Sequence, residues 1–338
     1  MDEEYYTPYS GDNISDYPYS SNESNVCEMG NYFVLHTHLT TVLYTLAFLL
    51  SLLGNTLVLW ILFKYENLTS LTNISIMNLC VSDLVFSCML PFWAVDQSFG
   101  WIFGEFLCKA VNAVFSIGYY SGVFFLTITT ILRYLFVVNP LSTWRSQTKW
   151  CGFLMSLVVW TGSILIVIPE VIHTTVQETL EGDKTCDYAD MNWKKMDIYQ
   201  RNILFLISFG VIGFCYFKIL IILLRARSHR KHKTVKLILI IVVAFFLSWA
   251  PYNILSFLIT FPPPTCQYHK DSQLAFYISR KIVFSHCCLN PVLYVFVGVK
   301  FKRHLLRLSS QCSPCGNGPV SSPRICSDKF HYEDASIY

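Results

Sequence analysis

One stretch limits what this chain can fold into: the apolar run 108–138. It opens on Cys108, continues from Ala110 as AVNAVFSIGYYSGVFFLTITTI, and closes on Leu132, Arg133 and Tyr134. Between Ala110 and Leu132 no residue is charged, a stretch longer than the ~20 residues a helix needs to cross a bilayer. A thiol at one mouth points to an oxidising face and a tie to another loop. An arginine at the other points to the cytosolic face, where it also suits the negative end of the helix dipole. Each sign alone reads equally well as a buried thiol or a snorkelling cation, so the rest of the chain decides.

The rest of the chain repeats the pattern. Mean hydropathy is +0.43 and charged residues make up 14% of the 338, against about 25% in a soluble globular domain. Apolar runs lie at 34–63, 71–95, 108–138, 150–169, 198–224, 235–261 and 273–297. Each has the length of a bilayer-crossing helix, and none has the short alternating pattern of a barrel strand. The expected fold class is an all-α membrane protein: a seven-transmembrane-helix bundle. An acidic, tyrosine-rich tail spans 1–33, the helical domain 34–299, and a cytoplasmic segment 300–338. Residues 1–30 are polar and acidic, so no cleavable leader is expected ahead of the first span.

Charge fixes the expected sidedness. No Lys or Arg occurs in 1–63. Between 218 and 236 stand Lys218, Arg225, Arg227, Arg230, Lys231, Lys233 and Lys236, and more follow Lys300. Basic loops stay inside, which places the N-terminus outside the cell and the C-terminus in the cytosol of a multi-pass plasma-membrane protein.

The tail MDEEYYTPYSGDNISDYPYSS sets Asp2, Glu3 and Glu4 beside Tyr5 and Tyr6, and Asp16 beside Tyr17 and Tyr19. It is too polar to fold alone and reads as an anionic lure for a basic protein, with the tyrosines as candidate sulfation sites. Asn13 and Asn22 head glycosylation sequons on the outer side. Those at Asn67 and Asn73 fall at the inner face and are discounted.

Thirteen cysteines sort by compartment. Cys27, Cys108, Cys186 and Cys266 lie in outer segments and allow three pairings; we expect Cys108–Cys186 and Cys27–Cys266. Cys312 and Cys315 follow a basic segment and read as palmitoylation sites. Asp83 sits mid-span, where a carboxylate is costly and marks function by default. Asn55 and Asn290 are its candidate partners in a polar cluster able to hold Na⁺ or a proton. Pro91, Pro169, Pro251 and Pro291 interrupt spans where neighbours can satisfy the freed backbone, as suits a switch.

These residues in order resemble the rhodopsin-like G-protein-coupled receptors: Gly54-Asn55, Leu79 with Asp83, Cys108, Arg133-Tyr134, Trp160, Ser248-Trp249-Ala250-Pro251 and Asn290-Pro291-Val292-Leu293-Tyr294. Within that class the Tyr/acid tail, Cys27 with Cys266, Pro91-Phe92-Trp93, and Ser285-His286-Cys287-Cys288 resemble the chemokine receptors. The stretches from Leu71, from His232 and from Tyr332 are similar to the XC branch, which implies a lymphotactin-type ligand.

The resemblance implies that Tyr44, Trp93, Phe115, Glu170, Tyr252 and Arg280 line a pocket for the chemokine N-terminus. It implies relay through Trp249, Pro251, Asn55, Asp83, Asn290 and Pro291. Arg133, Tyr134, Tyr216 and Tyr294 would shape the cleft for an inhibitory-class G protein. Arrestin and receptor kinases would act at the Ser-rich end, and residues 301–308 would form an amphipathic eighth helix on the inner membrane surface. No metal is implied beyond a Na⁺ at Asp83, and no nucleic acid. Departures are Leu132 where the family has Asp, Ser208 for a proline, Met89 for a threonine, and Arg280 where many members carry glutamate.

Three alternatives compete. A scavenging receptor without G-protein coupling shares the outer half and gains from Leu132. A transporter would need matching broken helices in two halves. An enzyme would need a convergent set, and His286 beside Cys287 and Cys288 has no third partner in sequence, nor do adjacent helical residues face each other.

Overall fold

The computed structural model describes residues 32–68, 70–138, 149–178, 182–225, 229–261 and 266–292. The helices are α1 (Tyr32–Tyr65), α2 (Leu71–Ser87), α3 (Leu90–Phe99), α4 (Gly104–Val138), α5 (Lys149–His173), α6 (Met191–Arg225), α7 (His229–Leu258) and α8 (Cys266–Ser285). The last leads into a 3₁₀ turn, His286–Cys288, after which helix resumes.

Over its described residues each expected run is found largely as helix, with two corrections. The run 71–95 is not continuous: it breaks at Cys88 and Met89, two residues before Pro91. Proline has no N–H and its ring crowds the preceding turn, so the chain restarts as α3 with Pro91 in its first turn. The second correction concerns the connection between α5 and α6. It carries a two-stranded antiparallel hairpin, β1 (Thr174–Glu178) and β2 (Lys184–Tyr188), in register Val176↔Cys186.

Among the described residues five helical stretches, one of them Leu71–Phe99 taken across its break, are long and apolar enough to cross a membrane. The apolar part of α7, Val242–Leu258, is shorter. The exterior explains why a bilayer is needed. Leu53, Phe153, Val158, Leu206 and Phe217 are all more than half exposed, a load of apolar surface that water does not tolerate and lipid does.

Inside the bundle, α4 packs against α2, α5 and α6, and more lightly against α7; α1 packs against α2, α3 and α8. Close approach sets two of these contacts. At Gly54 of α1 a Cβ would stand 2.6 Å from Pro291 Cγ. At Gly118 of α4 it would stand 3.1 Å from Phe86 Cβ. Asn78 ties α2 to α5: its amide donates to Ser156 Oγ at 2.8 Å, and its oxygen accepts from Trp160 Nε1 at 2.9 Å.

Candidate functional site

The hairpin is fastened to the start of α4 at several points. The disulfide Cys108–Cys186 forms as expected, with Cα atoms 5.6 Å apart. Glu105 accepts from the Val176 amide at 2.8 Å and from Thr175 Oγ1 at 3.0 Å. The Trp101 amide donates to the Lys184 carbonyl at 2.7 Å, and its indole N–H to the Gly104 carbonyl at 2.9 Å. A negative group at the first turn of a helix also suits the dipole.

Beneath this hairpin two guanidiniums stand on either side of an aromatic wall. Arg280 lies 4.6 Å from the Trp93 ring centroid and 5.4 Å from that of Phe284. Arg201 lies 5.8 Å from the Phe115 centroid and 5.6 Å from that of Tyr119. Phe115 joins the two sides, its ring 6.3 Å from Trp93 and 5.4 Å from Phe284. Tyr44 packs on Phe284 at 5.0 Å. Trp249 is fully buried, with Tyr119 at 4.3 Å and Tyr252 at 6.0 Å. The sequence-expected pocket residues Tyr44, Trp93, Phe115, Tyr252 and Arg280 are thus brought together.

Glu170 belongs to the other side of the wall. The resemblance set it in one pocket lining with Arg280. Instead it lies within reach of the charges of Asp197 and Arg201, while Arg280 lies within reach of Asp96. The reason is geometric: Glu170 ends α5, which runs beside α4 and meets α6, whereas Arg280 points from α8 toward Trp93 of α3. Arg201 makes a 2.8 Å ion pair with Asp197, one turn earlier on α6. The Tyr188 hydroxyl is buried beside these carboxylates. Burial, then the Glu170 and Asp197 charges, push it above the ordinary tyrosine range.

Buried polar atoms with no hydrogen-bond partner concentrate here: Trp93 Nε1, Tyr119 OH, Glu170 Oε2, Tyr188 OH, Arg201 Nε and Asn253 Oδ1. Nine in ten buried polar groups in folded proteins are partnered. Such a concentration marks a place completed by water or ligand.

Deeper in the bundle Asp83, 3% exposed, accepts a 2.7 Å hydrogen bond from Asn290 Nδ2. Asn55 is not its direct partner; its amide donates to Ser51 and to the Cys287 carbonyl, each at 3.0 Å. Sequence reading missed the group that does face Asp83. His286 Nε2 stands 3.6 Å from Asp83 Oδ1, its Nδ1 is 2.8 Å from the Val283 carbonyl, and its ring lies 5.3 Å from Trp249. Ser82 and Ser121 hydroxyls bond each other at 2.8 Å nearby in sequence. Asp83 Oδ1, which faces His286, and the unpartnered Asn55 Oδ1 are hard donors of the kind an alkali cation takes.

At the opposite end Arg133 and Tyr216 are neighbours, and Arg133 Nε and Tyr216 OH are buried without partners. No ion pair reaches Arg133 among the described residues. Tyr134 packs on Phe214 at 6.3 Å. Pro251 lies inside the continuous helix α7, two residues after Trp249, whose carbonyl accepts from Asn253 at 3.0 Å. Pro291 is buried against α1.

Several expected residues lie outside the described residues: Tyr5, Tyr6, Tyr17, Tyr19, Asn13, Asn22, Cys27, Tyr294, Cys312, Cys315 and the segment 301–308. The Cys27–Cys266 pairing falls there too. Asp197 stands one residue ahead of the fifth apolar run, 198–224, and Arg201 inside it, and neither was singled out. Two charges one turn apart in a spanning segment were the available signal.

The family model for the 7 transmembrane receptor (rhodopsin family) matches residues 54–294. Chemokine XC receptor 1 of Homo sapiens is 50% identical over 323 residues, 94% of this chain and 95% of that protein. Its Mus musculus counterpart is 48% identical over 324 residues, 95% and 98% of the two chains. CX3C chemokine receptor 1 of Bos taurus is 36% identical, covering 86% of this chain and 82% of that protein.

Proposed function

The chain belongs to the rhodopsin family of seven-transmembrane receptors, and within it to the chemokine receptors; from that premise we propose that it is the receptor for an XC chemokine of the lymphotactin type. The observation that supports this is the cluster of aromatic rings, guanidiniums and unpartnered buried polar atoms around Trp93, Phe115 and Arg201, together with a disulfide-pinned hairpin, in a chain 50% identical to chemokine XC receptor 1.

On this reading the hairpin end is extracellular and the N-terminus lies outside. The acidic tail captures the basic chemokine core, since charge complementarity chiefly raises association rate and selectivity. The flexible chemokine N-terminus then enters between Arg280 and Arg201. It biases Trp249 and Pro251, with His286 and the Asp83–Asn290 pair as the relay below. Asp83 would hold a sodium ion in the resting state, which would neutralise its charge. The inner ends of α6 and α7 part, and Arg133, Tyr134, Tyr216 and Tyr294 receive an inhibitory-class G protein. Calcium release and chemotaxis follow. Arrestin and receptor kinases act at the Ser-rich tail, which Cys312, Cys315 and the 301–308 helix hold to lipid.

One observation favours a second reading. Leu132 leaves Arg133 without the adjacent carboxylate usual in the rhodopsin-like family, which suits a scavenging receptor that binds chemokine without coupling. A chemokine panel on transfected cells, read by calcium flux and internalisation, tests the first reading. Ligand-dependent Gα nucleotide exchange in isolated membranes separates the two. Internalisation of lymphotactin without nucleotide exchange would select the scavenger, and no binding of lymphotactin would overturn the ligand assignment.

A further inference from the structure

A cation inside an apolar span calls for a partner, and Lys281 of α8 is such a cation outside the pocket just described. It is 9% exposed. Its ammonium lies 4.1 Å from the centroid of the Tyr277 ring, one turn nearer the start of α8. A ring face holds an ammonium without neutralising it. No ion pair reaches Lys281 among the described residues. Its neighbour Arg280 points elsewhere, over Trp93 and Phe284.

The stripe that carries Lys281 faces α1. Tyr277, Lys281 and Phe284 are spaced by four and three residues, which puts them on one face of the helix. The Tyr277 and Thr40 hydroxyls bond each other at 2.6 Å, and Phe284 packs on Tyr44 with ring centroids 5.0 Å apart. Lys281 therefore sits between two contacts with α1, in the seam between the helices. That seam is bordered by lipid-facing side chains: Leu39, Leu46 and Leu50 of α1, and Ile278 and Ile282 of α8, are each more than two-fifths exposed.

We propose that this seam binds a long-chain fatty acid from the bilayer, its carboxylate on the Lys281 ammonium and its chain along Leu46, Leu50 and Ile282. One cation takes one negative charge, and an ammonium offers donors only, so its partner is an acceptor anion. Depth selects the carboxylate. The Lys281 backbone lies eight residues inside the 273–297 run, about 12 Å along a helix, and its stem turns back over Tyr277, as a snorkelling lysine does. A carboxylate at the end of a single chain can sink to that level. A phospholipid phosphate is esterified on both sides and stays with its glycerol among the headgroups. The bound acid ties α1 to α8, on the same pair of elements that meet at Gly54 and Pro291. The inference does not depend on which chemokine the receptor takes.

The test uses the full-length receptor in phosphatidylcholine nanodiscs: wild type, Lys281→Gln, Lys281→Arg and Arg280→Ala. The probes are oleic acid, its uncharged methyl ester and oleoyl lysophosphatidic acid, read by melting temperature. A photoreactive palmitic acid, with its crosslinked peptides mapped by mass spectrometry, gives the location. Oleic acid near saturation should raise the wild-type melting temperature by roughly 3–6 °C, and methyl oleate should not. The photoreactive acid should label α1 and α8, and oleic acid should compete for that label. Lys281→Gln should lose the shift and weaken the competition by at least about tenfold, as removal of one partner of a buried charge pair does. Lys281→Arg and Arg280→Ala should keep both. Equal shifts by the acid and its ester in wild type, a comparison that needs no variant to fold, would overturn the carboxylate site. So would a wild-type response in Lys281→Gln. A shift with lysophosphatidic acid and none with oleic acid would replace the fatty acid by a phosphate. A wild-type receptor that oleic acid leaves unmoved, with Lys281→Gln melting lower, would mean that a carboxylate of the chain's own acidic tail already fills the seam, and would overturn the lipid.

Discussion

The guanidinium of Arg280 lies on the face of Trp93, its carbon 4.6 Å from the ring centroid. A cation–π contact removed from water is worth about 2 kcal/mol, less at a wet site. It fixes a positive charge in the pocket wall without neutralising it, and Asp96 is near enough to moderate it. The contact predicts that Trp93→Leu and Arg280→Ala act through one another. Each should lower chemokine potency by roughly tenfold, and the double variant should be little worse than either single. Arg280→Glu should collapse activation while tail-driven binding falls less. Calcium mobilisation and equilibrium binding, measured separately, check both statements. Wild-type potency in Arg280→Glu would remove this residue from ligand selection.

The disulfide between Cys108 and Cys186 makes a different demand. It does not act alone, because Glu105 and Trp101 also grip the hairpin. Cys108→Ala and Cys186→Ala should each abolish surface ligand binding, and the double variant should match the singles. Glu105→Gln, which keeps the shape and weakens two charge-assisted hydrogen bonds at an exposed site, should lower the melting temperature only slightly. A thermal-shift assay on detergent-solubilised receptor reads that change. Strongly additive losses in the cysteine variants would contradict the pairing.

Much of this could be read before any coordinates. Run length called for the spanning helices, and the Asp83–Asn290 contact was foreseen from two polar residues in apolar runs. What failed has physical reasons. Thr174–Glu178 and Lys184–Tyr188 are polar and short, so no period marks them as strands, and their pairing is closed by tertiary grips on α4. His286 was weighed only against its chain neighbours Cys287 and Cys288. Its real partner is a carboxylate on another helix, which no local pattern reports. Glu170 and Arg280 were set in one pocket lining by the resemblance alone, which does not say which side of Phe115 a side chain occupies.

Gly54 offers a test of packing. A Cβ there would stand 2.6 and 2.8 Å from two ring carbons of Pro291, and a proline ring cannot rotate away. Gly54→Val should therefore push α1 off the end of the bundle core and cost about 1–3 kcal/mol, as overpacking does. The neighbouring hydrogen bond from Asn55 to the Cys287 carbonyl should weaken with it. A melting temperature and surface expression equal to wild type would show that α1 can move freely here. Gly162→Val, where a Cβ meets nothing, is the control and should change neither.

Leu132 bears on how the resting state is held. Arg133 has a buried, unpartnered Nε and the phenol of Tyr216 beside it, but no ion pair among the described residues. A carboxylate adjacent to an arginine at a helix end supplies a partner in the resting state that an incoming G-protein segment must displace, so it stabilises rest relative to activity. Leu132→Asp should therefore lower ligand-free signalling. If the new pair is partly exposed at the membrane face, it is worth no more than ~1 kcal/mol, or about a fivefold drop in basal Gα nucleotide exchange. Leu132→Asn carries no charge and should leave basal exchange near wild type. Tyr216→Phe removes the phenol oxygen and should not mimic Leu132→Asp. Exchange measured in membranes at matched surface expression decides the matter. An unchanged or raised basal rate in Leu132→Asp would mean that Arg133 is already restrained by Tyr216 and its surroundings, and that the missing carboxylate does not loosen this receptor.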